Sequence, residues 1–358
     1  MDTATLAPVL TKPGPYATVF VDVSQDTESG RHEHETRVRD ACHELAAQGA
    51  PSQVVERLQQ RLDEQPGRAA PVSRLVVGTP DEIVYDELAT TRQEQPVASW
   101  DPLPDLAAWA AHRDADVRFV LALVDHTGGQ VSLWDSDVPV PTEEITAGGD
   151  LQYVHQVPVG GWASIEVQRT SENAWRRNAE EVVAEVERLV RQHRPSMILL
   201  AGDPASCGIA RRELDALPAE VVPLPTGQRH ADGGDDALHQ AIREALFQDV
   251  VGRRTALAER LRDGLGRGEG VATGVRDVAD ALVQGRVETL LFDPARLGEH
   301  ELDPAQHPGL AFGAANIVGP VRADEALIAG AVLTEAAVVP LPSAALGGAP
   351  VAALLRWA

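Results

Sequence analysis

A chain of 358 residues is long for a single hydrophobic core and predicts two or three domains of ordinary size. With 44% hydrophobic and 24% charged residues, it has the composition of a soluble globular protein. Its 54 acidic residues outnumber 31 basic ones. The resulting formal net charge of −23 excludes a general nucleic-acid coat or a membrane-surface binder, because both targets are anionic. A partner RNA met by shape at one near-neutral surface is still compatible with that charge. No apolar run approaches the ~20 residues that span a bilayer, and Met1 to Gly14 lacks the charged start and apolar core of a signal peptide. Two cysteines, Cys42 and Cys207, cannot build a disulfide framework or a four-cysteine zinc site. The expectation is a cytoplasmic, acidic, multidomain protein without membrane or DNA partners and without a cofactor.

Residues 1–115 carry a net −9, residues 116–159 carry −6, residues 160–215 only −1, and residues 216–358 carry −7. The near-neutral stretch is where contact with an anionic partner is expected.

In chain order, Tyr16 to Val23 reads as a strand and Glu33 to Gln48 as a helix. A second helix follows Pro51, with Val54, Val55, Leu58 and Leu62 on one face. Arg74 to Val77 and Glu82 to Leu88 are short strands, and the polar, three-proline stretch Thr91 to Pro104 reads as a linker. The next unit opens with a hairpin: Phe119 to Val124, a turn through Asp125 to Gly129, and a return strand Gln130 to Trp134. Tyr153 to Val159 and Ala163 to Gln168 are strand candidates. Ser171 is placed to cap a helix in which Trp175, Ala179, Val182, Val186, Leu189 and Val190 recur at helical spacing, ended by Pro195. Met197 to Leu200 is a buried strand, followed by a helix to Leu217 and a strand at Val221 and Val222. The last unit starts with helices Asp236 to Val251 and Thr255 to Gly264 separated by Gly252. A Gly-rich loop from Gly264 to Gly274, a helix Val275 to Gln284, a strand Val287 to Phe292, a helix Glu325 to Thr334, a strand Ala336 to Val339 and a final Val351 to Trp357 segment complete it. The fold class is α/β in three domains: residues 1–115, a mixed sheet with helices on its faces over 116–230, and an α/β/α layer pattern over 231–358.

Gly128-Gly129-Gln130 matches in letters the Gly-Gly-Gln loop with which release factors hydrolyse peptidyl-tRNA. Its place inside a hairpin favours plain turn chemistry. His32, His34, Cys42 and His43 offer metal-ligand types, but eight residues separate His34 from Cys42 in a strongly charged segment, so a solvated helix is expected. The glycines 264, 266, 268 and 270 fail the dinucleotide fingerprint, since no strand precedes them. Metal-dependent cleavage needs convergent carboxylates, and Asp125, Glu172 and Asp203 are not obviously at one place.

Two further stretches carry a resemblance. Gly160-Gly161-Trp162-Ala163-Ser164-Ile165-Glu166-Val167-Gln168-Arg169, a long helix, and Ile198-Leu199-Leu200-Ala201-Gly202 resemble the central domain of the archaeal and eukaryotic class-1 release factors and Pelota. Gly274 to Leu291, with Val287-Glu288-Thr289-Leu290-Leu291, resembles the start of their third domain, whose small α/β/α fold is that of kink-turn-binding ribosomal proteins. The resemblance covers residues 116–358 and is strongest to the bacterial branch, the Balon-like ribosome-hibernation factors and their actinobacterial relatives. It implies a ribonuclease-H-like central domain and a tRNA-shaped protein in the ribosomal A site.

The departures from the family matter. Trp162 stands where the family has the hydrolytic glutamine, and residues 1–115 show neither the Asn-Ile-Lys-Ser nor the Tyr-x-Cys-x-x-x-Phe motif of stop-codon reading. The implied role is therefore non-enzymatic. Gly160, Gly161 and Trp162 reach toward the peptidyl-transferase centre, Arg169, Arg176 and Arg177 meet rRNA phosphates, and elongation factor Tu joins the expected partners. Two rivals stand beside it. One is a peptidyl-tRNA hydrolase or tRNA-cleaving rescue factor using Gln168 or Ser164, and the other is a protein-interaction module with no ribosomal role.

Overall fold

The computed structural model describes residues 3, 5–68, 70–125, 127–138, 140–147, 162–225 and 235–357, with backbone alone for Glu28, Asp235 and residues 162–176. They form two compact units, residues 1–115 together with 252–358, and residues 116–251.

In residues 1–115 the strand β1 (Tyr16–Asp22) pairs antiparallel with β2 (Ser73–Gly78) and with β4 (Val97–Asp101). β3 (Ile83–Ala89) completes the order β3-β2-β1-β4. Every position of β1 is buried, which is why it reads as an almost unbroken apolar run. Ala17, Val19 and Val21 pack with Val38, Leu45, Leu58 and Leu62 of α1 (Glu28–Ala47) and α2 (Ser52–Asp63). Tyr16 and Phe20 face the other way, with α3 (Ala107–Asp114). There Trp109 meets Phe20 edge-on at 5.3 Å between ring centroids. The stretch expected as a linker contains β4: Pro96, Pro102 and Pro104 flank this strand and leave its ladder intact.

In residues 116–251, β5 (Arg118–Asp125), β6 (Gly128–Asp135) and β7 (Glu143–Ala147) form an antiparallel meander. β8 (Met197–Gly202) and β9 (Glu220–Pro223) add in parallel, giving the order β7-β6-β5-β8-β9. One face carries α4 (Trp162–His193) and α5 (Pro204–Leu214), with Val182, Val186, Leu189 and Val190 over Val120, Ala122, Ile198 and Leu200. The other carries Ile242, Ala245, Leu246 and Val250 of α6 (Asp235–Arg267) over Phe119, Leu121, Met197 and Leu199. Gly202 ends β8 at φ 130°, and a Cβ there would lie 1.9 Å from the Val124 carbonyl oxygen. That oxygen accepts the Asp203 N–H at 2.9 Å, so the chain leaves the sheet at a point only glycine fits.

Two sequence expectations change here. Ala163 to Gln168 belongs to α4, not to a strand, and α4 starts at Trp162 without Ser171 as its cap. A short alternation of this length cannot be told from one helical stripe when a strongly periodic run follows it. The helices on either side of Gly252 are the single α6, because one glycine costs about 1 kcal/mol in a helix and does not break it. The Tyr153 to Val159 strand expectation lies outside the described residues.

In residues 252–358 the sheet order is β10-β15-β11-β14, from β10 (Val271–Thr273), β11 (Val287–Phe292), β14 (Ala337–Pro340) and β15 (Val351–Leu355), with β11 and β14 parallel. A two-stranded ladder of β12 (Glu301–Leu302) and β13 (Val321–Arg322) stands beside it. Beside the end of α6, the helices are α7 (Val275–Val283) and α8 (Ala323–Leu333), and every residue of α8 from Ala323 to Val332 is buried. A helix apolar nearly all round needs cover on all sides. Residues 1–115 supply part of that cover: Leu6, Leu10 and Trp109 share one hydrophobic core with Leu282, Leu290, Leu327 and Ala331. Thr3 Oγ1 donates to the Ala336 carbonyl at 3.2 Å, and the Ala314 N–H donates to the Leu10 carbonyl at 2.8 Å. The sequence reading separates 1–115 from 231–358. In the structure each stretch keeps its own sheet, and one core joins them. Each large side chain buried there contributes roughly 1.5–3 kcal/mol.

Candidate functional site

The residues singled out in the sequence cluster around the start of α4. Gly160 and Gly161 lie outside the described residues. Trp162 is the first residue of α4, and Arg169 and Arg176 follow on its backbone at seven-residue intervals. On an α-helix that spacing draws one stripe along roughly 21 Å of axis. Arg177, one position on, is exposed and has no described ion-pair partner. Further along α4 the guanidinium groups are engaged. Arg188 donates to Glu143 at 2.6 Å, to Glu185 at 2.7 Å and to Gln192 at 2.7 Å, and Arg191 pairs with Glu187 at 3.3 Å.

Gly128 and Gly129, expected in the turn, are strand residues of β6 together with Gln130. Asp125 pairs with Gly128, Val124 with Gly129 and Leu123 with Gln130. Asp125 Oδ1 accepts from the Thr127 N–H at 2.6 Å and its hydroxyl at 2.5 Å. Asp203 is likewise committed: its Oδ2 caps α5 by accepting from the Ser206 N–H at 2.9 Å and the Ser206 hydroxyl at 3.0 Å. Among the described residues no group of three or more His, Cys, Asp or Glu side chains is placed to hold a metal ion. Burial pushes the Cys42 thiol up, and burial with the nearby Asp203 charge pushes Cys207 up to about 11. Both therefore stay protonated and poor as nucleophiles at neutral pH. His34 is buried, with neither ring nitrogen hydrogen-bonded among the described residues, so the solvated-helix expectation fails at His34 as it does at the buried Cys42. The His34 side chain faces inward under α2, with Nε2 4.0 Å from Asp63.

Sequence reasoning missed Arg194. It follows the last residue of α4 with φ 48°, left-handed backbone in a non-glycine residue, directly before Pro195. Such a residue costs about 1 kcal/mol relative to glycine. The signal was present as an arginine, not a glycine, between a helix end and a proline. Arg194 is exposed and without a described hydrogen bond or ion pair of its side chain. With Val190, Arg191, Pro195, Leu217 and Pro218 it lines a cavity of about 470 Å³.

The unit of residues 1–115 and 252–358 holds a second cavity, about 400 Å³, lined by polar residues that include Arg276, Asp303 and His307. His307 Nδ1 lies 2.7 Å from Asp280 Oδ1. It also holds a buried charge cluster. Arg322 reaches Asp105 Oδ2 at 2.9 Å, Asp324 Oδ2 at 2.6 Å and Glu325 Oε1 at 3.7 Å. The Glu325 Oε1 has no hydrogen-bond partner among the described residues. Burial, together with the Asp101 charge, pushes the Glu325 carboxyl up to about 10 against the pull of Arg322. Burial also raises Asp105. Three carboxyl groups thus share one guanidinium, and Glu325 retains its proton at neutral pH.

Residues 118–267 match the model of bacterial archaeo-eukaryotic release factor family 2. An uncharacterised protein of Mycobacterium tuberculosis is 28% identical over 365 aligned positions, covering 96% of this chain and 94% of the relative. A Pelota homologue of Natronomonas pharaonis is 27% identical over 168 positions, 46% of this chain and 47% of that protein. Among solved structures, Archaeoglobus fulgidus Pelota covers 99% of this chain and 92% of its own at 13% identity, with a TM-score of 0.34. Ribosome-bound archaeal Pelota covers 99% and 93% at 17% identity, with a TM-score of 0.43. The matches in sequence support the release-factor and Pelota superfamily for this chain. No described helix is long and apolar enough to cross a membrane.

Proposed function

We propose that this protein is a release-factor-like ribosome binder that occupies the A site without reading stop codons or hydrolysing peptidyl-tRNA, in hibernation or stress protection. The observation that carries this reading is the family match over residues 118–267, the stretch that contains the Gly160-Gly161-Trp162 tip and the whole of α4. At the tip, two glycines permit close backbone approach to RNA. Trp162 has a ring to stack on a base and no amide to position an attacking water. Arg169, Arg176 and Arg177 neutralise rRNA phosphates from a segment whose net charge is only −1. The third domain faces elongation factor Tu or the neighbouring ribosomal surface in this reading.

Cosedimentation with ribosomes from stationary-phase extracts tests it. The wild type is expected in ribosomal fractions at low salt, with an affinity that falls steeply as salt rises. Replacing Arg169, Arg176 and Arg177 by glutamine is expected to flatten the salt slope by about one per lost phosphate contact. Absence from every ribosomal fraction at low salt overturns the proposal. Release of peptide from stalled complexes by the wild type, lost in Gly161→Ala, replaces it with a hydrolase role.

A further inference from the structure

We propose that the cavity at the end of α4 is a docking site for a short acidic peptide segment that presents one aliphatic side chain. Val190 and Pro195 are buried and Leu217 half-buried, and with Pro218 they give an entirely aliphatic floor. Two prolines stiffen it, so little order has to be gained on binding. The charged side chains in the lining are those of Arg191 and Arg194. A volume of about 470 Å³ accommodates a side chain with its flanking backbone.

Three observations select this occupant. First, the floor has no aromatic ring, amide or hydroxyl, the groups that stack on or read a nucleobase. An aliphatic side chain matches this floor. Second, Arg194 is exposed, and among the described residues its guanidinium has no hydrogen bond or ion pair. Its left-handed backbone closes α4, donating its N–H to the Val190 carbonyl at 3.0 Å, so the side chain is the group left to meet a partner. Third, the rim is basic within a chain of net −23, so an acidic segment is repelled elsewhere and admitted here. Part of that positive charge balances the α4 C-terminus, worth about half a unit charge, and Arg191 is shared with Glu187 at 3.3 Å. Arg194 is left as the group for the incoming carboxylate. This site stands on its own geometry and does not depend on the ribosomal reading.

The test uses the full chain and fluorescein-labelled pentapeptides with two glutamates on each side of a central Leu, Val, Ala or Lys, read by anisotropy at low salt. Binding is expected in the order Leu, Val, Ala, with about a fourfold loss for each methylene removed, and none for Lys. Arg194→Gly is expected to weaken the Leu peptide about tenfold while raising the unfolding midpoint, because glycine relieves the backbone. The more conservative Arg191→Gln weakens it less. The proposal is overturned if the Leu peptide binds no better than the Lys peptide, if Arg194→Gly binds it as well as wild type, or if a uridine pentanucleotide displaces it from the wild type.

Discussion

Where residues 1–115 and 252–358 come together, Asp105, Asp324 and Glu325 are buried around the single guanidinium of Arg322. In residues 116–251 the described ion pairs, such as Arg118 with Asp135 at 2.6 Å or Arg191 with Glu187, lie on the surface or partly exposed. The difference assigns the charges different work. A buried cluster holds two chain segments in one geometry, and removing one member leaves the others desolvated and unpaired. Exposed pairs are worth little to stability.

The sharpest way to break this comparison is at a close backbone approach in each unit. A Cβ on Gly202 would lie 1.9 Å from the Val124 oxygen, and one on Gly313, at φ 64°, would lie 2.0 Å from the Leu10 oxygen. Gly202→Ala and Gly313→Ala are each expected to cost more than about 4 kcal/mol, through overlap and backbone strain together. In scanning calorimetry Gly202→Ala should lower only the transition of residues 116–251. Gly313→Ala should lower only that of the other unit. A single transition that both variants shift equally would show that the units do not melt separately. Next in size, Arg322→Met is expected to cost about 3–5 kcal/mol, because the buried Asp105 and Asp324 lose their counter-charge. Arg191→Met should stay within about 0.5 kcal/mol. Comparable losses from the two would end the distinction between buried and surface charge.

The sheets were legible because their central strands are buried on both faces, and Tyr16 to Asp22 and Met197 to Gly202 show this as mainly apolar runs. β4 was hidden because three prolines around it signal a loop, although none interrupts its pairing with β1. The join between residues 1–115 and 252–358 has no local signature at all. Leu10 and Leu327 meet through tertiary packing, and no window of sequence contains both. Of the candidate site, the Gly160 to Arg177 stretch was legible as a motif. Arg194 was not, since its left-handed backbone is fixed by the helix end and the following Pro195 together. The cluster around Arg322 was equally silent, because Asp105 lies more than two hundred residues away from it in the chain.

Glu325 turns the comparison into a pH experiment. Its carboxyl is raised from 4.5 to about 10 by burial and by Asp101, so the folded state holds a proton that the unfolded state releases. The stability this contributes is fully present below 4.5 and is lost as pH rises toward 10, at up to about 1.4 kcal/mol per unit. Burial raises Asp105 in the same direction. Denaturant midpoints for the unit of residues 1–115 and 252–358 should therefore rise as pH is lowered from 8 to 6.5, and Glu325→Gln should remove most of that slope. Midpoints that fall on acidification across this window would mean that Glu325 is ionised in the fold.

His34 works against this slope on the acid side, with the smaller effect. Burial lowers its pKa from 6.5, and the Arg37 charge adds to the lowering while Asp63, Asp22 and Glu35 oppose it. The folded state thus binds fewer protons than the unfolded one as pH falls through 6.5 toward the lowered value, and stability is lost in that window. Below 6.5 the gain from Glu325 and the loss from His34 should offset each other, leaving a plateau where the slope above 6.5 would otherwise continue. His34→Leu removes the titrating group together with two buried nitrogens that have no described hydrogen-bond partner. It is expected to leave stability at pH 7.5 within about 1 kcal/mol of wild type and to let the rise continue down to pH 5.5. A plateau that survives in His34→Leu would place the opposing proton on another group.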